Sequence, residues 1–300
     1  MDKRHFGELV RALRSEHLDE NLHGWTREKY SEEISKTSGR RLTSETIGKI
    51  ERGERQNISS EELAALADGL QLTSVERQGF FEAALGFGGQ EMHPQQVPPT
   101  QLLTNLLANL QGVRQPFFIV DSYADAIAMN NMLIRFLMIP LEVVAQLREH
   151  PLGFNIIRII FDPIMGYRDL VGKDIWEDIA IHNILLFRGN SILHRATPYF
   201  KYVMSNLRKI GSFRWRWEEI YWQQHDYTGA GFQYCFKHPE WGNVNYVAIE
   251  SRIVTSEGTL ILVVYTPLDV NTAQVFENLA QVPDLLEHQK LASWPEKIIT

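Results

Sequence analysis

Only one cysteine, Cys235, occurs in the 300 residues. No disulfide can form within the chain, so a reducing, intracellular setting is expected. Long apolar runs are missing too. The longest, such as TLILVVY at 259–265, fall far short of a membrane span. The stretch MDKRHFGELVRALRSEH lacks the apolar centre of a secretory signal, so the expected location is the cytoplasm, with no membrane partner. Signatures of catalysis are absent as well. There is no G-x-S-x-G, no phosphate-binding loop and no legible nucleophile–base pairing, and the chain reads as a non-enzyme. Ten histidines occur, yet no H-x-x-x-H or C-x-x-C spacing marks a metal site. Positive charge is in deficit: 30 Lys and Arg against 37 Asp and Glu leave a net charge of −7. That balance speaks against nonspecific nucleic-acid binding over the whole surface.

What is present is ordinary for a soluble globular chain, with 44% hydrophobic and 22% charged residues. The length allows two domains, each with its own core. Glycine and proline cluster at 86–99 in GFGGQEMHPQQVPP, which reads as a linker between residues 1–85 and 100–268. Before it the period is helical throughout. Phe6, Leu9, Val10 and Leu13 share one face, and Leu63, Leu66, Ala67 and Leu70 make another stripe. Five short helices in a compact all-α bundle are expected, with Gly53 ending the third in a left-handed conformation. After the linker, PFFIVD and AIAMN read as a strand pair, residues 131–210 as mostly helical, and GFQYCFKHP, NVNYVAIESRIV and TLILVVYTP as three strands. This order describes an α+β domain, with an antiparallel sheet covered by helices on one side. Cys235, between Tyr234 and Phe236, is assigned to the core. Residues 269–300 read as a helix and a polar tail.

The basic side chains are concentrated. Residues 36–58 hold six Lys or Arg against three acids. Within them, a helix from Ser44 to Arg52 would turn Ser44, Glu45, Thr46, Lys49 and Arg52 outward and Ile47 and Ile50 inward. A preceding helix from Thr26 to Ser35 completes a helix-turn-helix pattern, in which short polar side chains at the start of the second helix reach base edges. The stretch LTSETIGKIERGER followed by SSEELAALADGLQL resembles the XRE/Cro-like helix-turn-helix family over roughly residues 5–72. The resemblance implies a double-stranded DNA operator as partner. By position, Ser44, Glu45, Thr46 and Lys49 would approach bases, Thr26 and Arg27 the backbone, and Arg52 and Arg55 phosphates. The turn KTSGRRL is longer than the family's, and its Arg40 and Arg41 would add phosphate contacts.

In the second half, FRWRWEEIYW at 213–222 packs five aromatic side chains, which fill a core or line an apolar cavity. Six ordered segments resemble the PAS-like ligand-binding domain of MmyB-like transcription regulators over roughly 100–268. They are PFFIVDSYADAIAMN, NIIRIIFDP, WEDIAIHNILLFR, WQQHD, FKHPEWGNVNY and ILVVYTP. The resemblance implies a homodimeric regulator whose second domain binds a small lipophilic ligand, such as a fatty acid, that alters DNA binding. Trp176 and Trp222 fall in the matched segments. A carboxylate head would need a cation or donor, for which Arg188, His225, His238 and Asn130 are the candidates. No other cofactor is implied. The competing readings of this domain are a haem sensor and a protein-interaction module.

Overall fold

The computed structural model describes residues 3–55, 57–86, 98–140, 142–144, 147, 150, 152–220, 232–255 and 258–297. Most of the expected linker, 87–97, lies outside them, as do Trp222 and His225.

Five helices come first: α1 (Lys3–Glu16), α2 (Arg27–Ser38), α3 (Ser44–Glu51), α4 (Ser60–Gly69) and α5 (Ser74–Ala84). The apolar stripes foreseen for α1 and α4 point into one shared core with Tyr30, Ile34, Ile47, Ile50 and Phe80. Burying each such side chain contributes about 1.5–3 kcal/mol. Tyr30 also donates its hydroxyl to the Leu66 carbonyl at 2.8 Å, tying α2 to α4. The cap of α4 is Ser59, in a reciprocal capping box with Glu62.

Helix α2 runs to Ser38, three residues past the expected end. Thr37 and Ser38 donate their hydroxyls to the Glu33 and Ile34 carbonyls four residues back, so both polar side chains are satisfied within the last turn. Gly39, at φ 68°, then stops the helix. The connection to α3 is therefore residues 39–43, and the enlarged turn expected from KTSGRRL is absent because its first half belongs to α2.

Helix α1 crosses the end of α3 at Gly7, where a Cβ would stand 2.5 Å from the Ile50 carbonyl oxygen and 2.6 Å from that of Glu51. Backbone atoms cannot swing aside. Gly7→Ala is expected to lose about 1–3 kcal/mol of stability, read as a lower urea midpoint. An unchanged midpoint would show that α1 can slide along α3.

The second unit is built on a six-stranded sheet of β1 (Phe117–Asp121), β2 (Ala126–Asn130), β3 (Phe232–His238), β4 (Gly242–Thr255), β5 (Gly258–Pro267) and β6 (His288–Lys290). The order is β3-β4-β5-β1-β2-β6, with every neighbour antiparallel. Between β2 and β3 lie α7 (Asn131–Phe136), α8 (Ile156–Phe161), α9 (Tyr167–Val171), α10 (Lys173–Ser191), α11 (Pro198–Leu207) and α12 (Gly211–Glu219). After β5 come α13 (Val270–Ala280) and α14 (Pro283–Leu286). No helix among the described residues is long and apolar enough to cross a membrane.

Two expectations change here. The sheet is covered on both faces. The helical block packs on one, while α6 (Pro99–Asn109) and Trp294 cover β1, β2 and β5 on the other. All five residues of β1 and of β2 are buried for that reason. The described part of the tail, to residue 297, adds β6 beside β2 and sets Lys297 between Asp121 and Asp125. Finally, Cys235 is exposed. Neighbours on a strand face opposite sides, so burying Tyr234 and Phe236 turns Cys235 outward.

Candidate functional site

Thr43 begins α3, its hydroxyl accepting the Thr46 N–H at 3.2 Å. Ile47 and Ile50 anchor the helix in the bundle. Glu45, Lys49 and Arg52 are exposed on the opposite face, with Ser44 and Thr46 half-buried beside them. The first turn thus presents hydroxyls and backbone N–H groups at the positive end of the helix dipole. Gly53, at φ 69°, closes the exit as foreseen.

Nearly every cation on this face has an acid beside it. Lys49 pairs with Glu45 at 2.8 Å, and Arg52 is held in a fork by Glu54 at 2.6 and 2.8 Å. Arg40 pairs with Glu61, and Arg55 with Glu62 and the Asn57 carbonyl. Arg41 is exposed and has no ion pair among the described residues. Exposed pairs of this kind contribute about 0–1 kcal/mol, so a phosphate can displace the acid at little loss.

Arg27 differs. Its Nε donates to Glu51 Oε2 at 2.7 Å, while Arg14 donates to Glu51 Oε1 at 2.7 Å. Glu51 is almost fully buried and pins α1, α2 and α3 together. Arg27 thus holds the bundle through its Nε while its side chain stays 37% exposed. Thr26, exposed, caps α2 by accepting the Lys29 N–H at 3.2 Å. Glu51 went unassigned in the sequence. Its signal was there, as the acid of KIERG on the otherwise inward face of α3.

Between the sheet and α10 lies a cavity of about 50 Å3. Phe118 and Val120 of β1, Ile156 and Ile157 of α8, and Asn183, Leu186, Phe187 and Asn190 of α10 wall it, with Tyr234 and Glu250 from the sheet. Of the expected head-group residues, Asn130, His238 and Arg188 do not line it, and each is engaged by its own neighbours. Asn130 accepts the Phe117 and Leu133 N–H groups and donates to the Gln115 carbonyl, tying strand to helix. His238 Nε2 sits 2.9 Å from the Phe136 carbonyl, and its Nδ1 accepts the Glu240 N–H at 3.1 Å. Trp176 donates to the Ile160 carbonyl at 2.7 Å and borders a separate cleft of about 620 Å3, with Arg168 stacked on its ring at 4.6 Å. The carboxyl groups on the cavity wall are Asp121 and Glu250, and the described lining includes no lysine or arginine.

Arg188 turns to the helical bundle. Its Nη2 donates to Glu76 Oε2 at 3.0 Å, and Arg195 Nη2 donates to Glu76 Oε1 at 3.0 Å. All three side chains are fully buried. Arg195 also pairs with Glu16 of α1. Burial alone would push the Glu76 carboxyl up, but the two guanidiniums outweigh it and hold the group below the usual carboxylate value. Both guanidiniums lie over the Trp217 ring, at 4.7 and 5.0 Å.

Near this junction His17 stacks on Trp25 at 4.3 Å, with Nε2 2.9 Å from the Leu70 carbonyl. Burial, and then Arg188, push its pKa down to about 4. Burial pushes His182 and His194 down to about 4 as well. An unfolded histidine titrates near pH ~6.5, so between there and about 4 the unfolded chain takes up protons that the folded chain refuses. Stability is expected to be full above pH ~6.5 and to fall steadily toward pH ~4. His17→Gln should flatten that slope in urea titrations; an unaltered slope would contradict the neutral, buried imidazole. No family model and no curated protein matches the chain.

Proposed function

We propose that the chain is a sequence-specific DNA-binding transcription regulator whose second unit senses a small apolar ligand. One observation carries the DNA half. Helix α3 is locked inward by Ile47, Ile50 and Glu51, yet offers Ser44, Thr46, Lys49 and Arg52 along its outer face. The short 39–43 connection to α2 fits the XRE/Cro-like helix-turn-helix reading better than an enlarged turn would. For the second unit, the opening strand pair, helical crossover and closing meander with β5 beside β1 support the PAS-like reading. The acidic and amide groups on the cavity wall favour a neutral or hydrogen-bond-donating lipophile over a fatty-acid carboxylate, which Glu250 would repel. Two copies on a symmetric operator complete the reading.

Selection from a randomised duplex pool tests it. The wild type should enrich one sequence, and Thr46→Ala with Lys49→Ala should lose that preference. No enrichment by the wild type would sink the DNA half. The small cavity favours one alternative for the second unit, a protein-interaction module. Native mass spectrometry separates the two, since a sensor should carry added small-molecule mass after mild purification or after soaking in decanol, and an interaction module should carry none.

A further inference from the structure

Two turns of α10 serve both the cavity and the bundle. Leu186, Phe187 and Asn190 wall the cavity. Arg188, between them, reaches Glu76 on α5. Gly189 lies so close to α5 that a Cβ there would stand 3.1 Å from Val75 Cβ. Past the helix end, Ile192 enters the core of the bundle, and Arg195 comes back to the other oxygen of Glu76. Helix α5 is thus gripped at Val75, Glu76 and Gly79 by one continuous segment.

Every charged group in this grip is fully buried. If α10 shifts, Arg188 shifts with it. Helix α5 must then follow, because opening the pair would strand charges away from water. We infer that Glu76, Arg188 and Arg195 are the positioning residues of the DNA-binding bundle, and that α10 conveys occupancy of the cavity to α5. The inference rests on the sensor reading above and adds its route.

The test uses the full chain and needs neither ligand nor operator. Ala248→Leu grows into the cavity and mimics occupancy. Amide hydrogen exchange is read over α10 and α5 in the wild type, Ala248→Leu, Arg188→Lys and the double variant. Filling the cavity should change exchange over residues 74–84 by roughly threefold or more, and Arg188→Lys, which keeps the charge but loses the guanidinium that bonds both Glu76 and the Trp217 carbonyl, should remove most of that change. Should Arg188→Lys not fold, Gly189→Ala serves instead. It presses on Val75 directly and should alter exchange in α5 with the cavity untouched.

Unchanged exchange in α5 on filling the cavity would overturn the inference. So would a change of equal size with Arg188→Lys present, or with Gly189→Ala having no effect on α5. Because exchange is read without DNA, failure here is distinct from failure of the DNA-binding reading. The mass measurement for a bound lipophile likewise fails or succeeds separately from it.

Discussion

Glu76→Gln is expected to destabilise the protein by about 3–5 kcal/mol, since it leaves two buried guanidiniums without their shared counter-charge. Glu76 accepts from Arg188 and Arg195 at 3.0 Å each, and from the Thr73 N–H and hydroxyl at 3.0 and 2.8 Å. The amide keeps the shape but cannot accept all four bonds, and it carries no charge. Such a loss is a large fraction of the stability of an ordinary domain. Urea unfolding followed by tryptophan fluorescence and by helical signal should show a much lower midpoint. A loss under about 1 kcal/mol, as for an exposed pair, would show that water reaches the cluster.

The double variant Lys49→Ala, Arg52→Ala stands at the opposite extreme. Both side chains are about half exposed, and their partners Glu45 and Glu54 are exposed as well. Breaking these pairs should change stability by no more than about 1 kcal/mol. Duplex affinity should nonetheless fall at least tenfold, at roughly 1 kcal/mol or more for each contact with base or phosphate. Ile47, Ile50 and Glu51 hold the fold, and the proposed reading gives recognition to their outward neighbours, so the two effects should separate. A variant that binds its selected duplex like the wild type would show that the outer face of α3 is only a solvated surface.

Much of this was legible from local pattern. Ile47 and Ile50 sit three apart and face inward, and the spacing of Leu63, Leu66, Ala67 and Leu70 placed α4. Alternation placed β3. The same period put Cys235 on the face opposite Tyr234 and Phe236, so counting alternate residues would have turned it outward. The end of α2 was missed because Thr37 and Ser38 are weak helix formers, and the helix stops only at Gly39 in its left-handed conformation. Long-range pairing was the larger loss. Arg188 is an arginine in an apolar helix and needed a partner, but that partner lies 112 residues away. No local spacing links the two. Asn130 and His238 were candidate donors to a ligand, whereas nearby backbone groups satisfy both. Glu51 shows the converse: an acid on an inward helical face signals a buried ion pair even when its arginines cannot be named.

The central claim is that α3 meets duplex DNA through Lys49, Arg52 and their neighbours. The most direct test is the salt dependence of affinity for the selected duplex, wild type against the Lys49→Ala, Arg52→Ala variant. For the wild type, log K should fall linearly with log salt. For the variant, the slope should be shallower by about two, roughly one for each lost phosphate neighbour. Equal slopes, or no binding by the wild type at low salt, would contradict the claim.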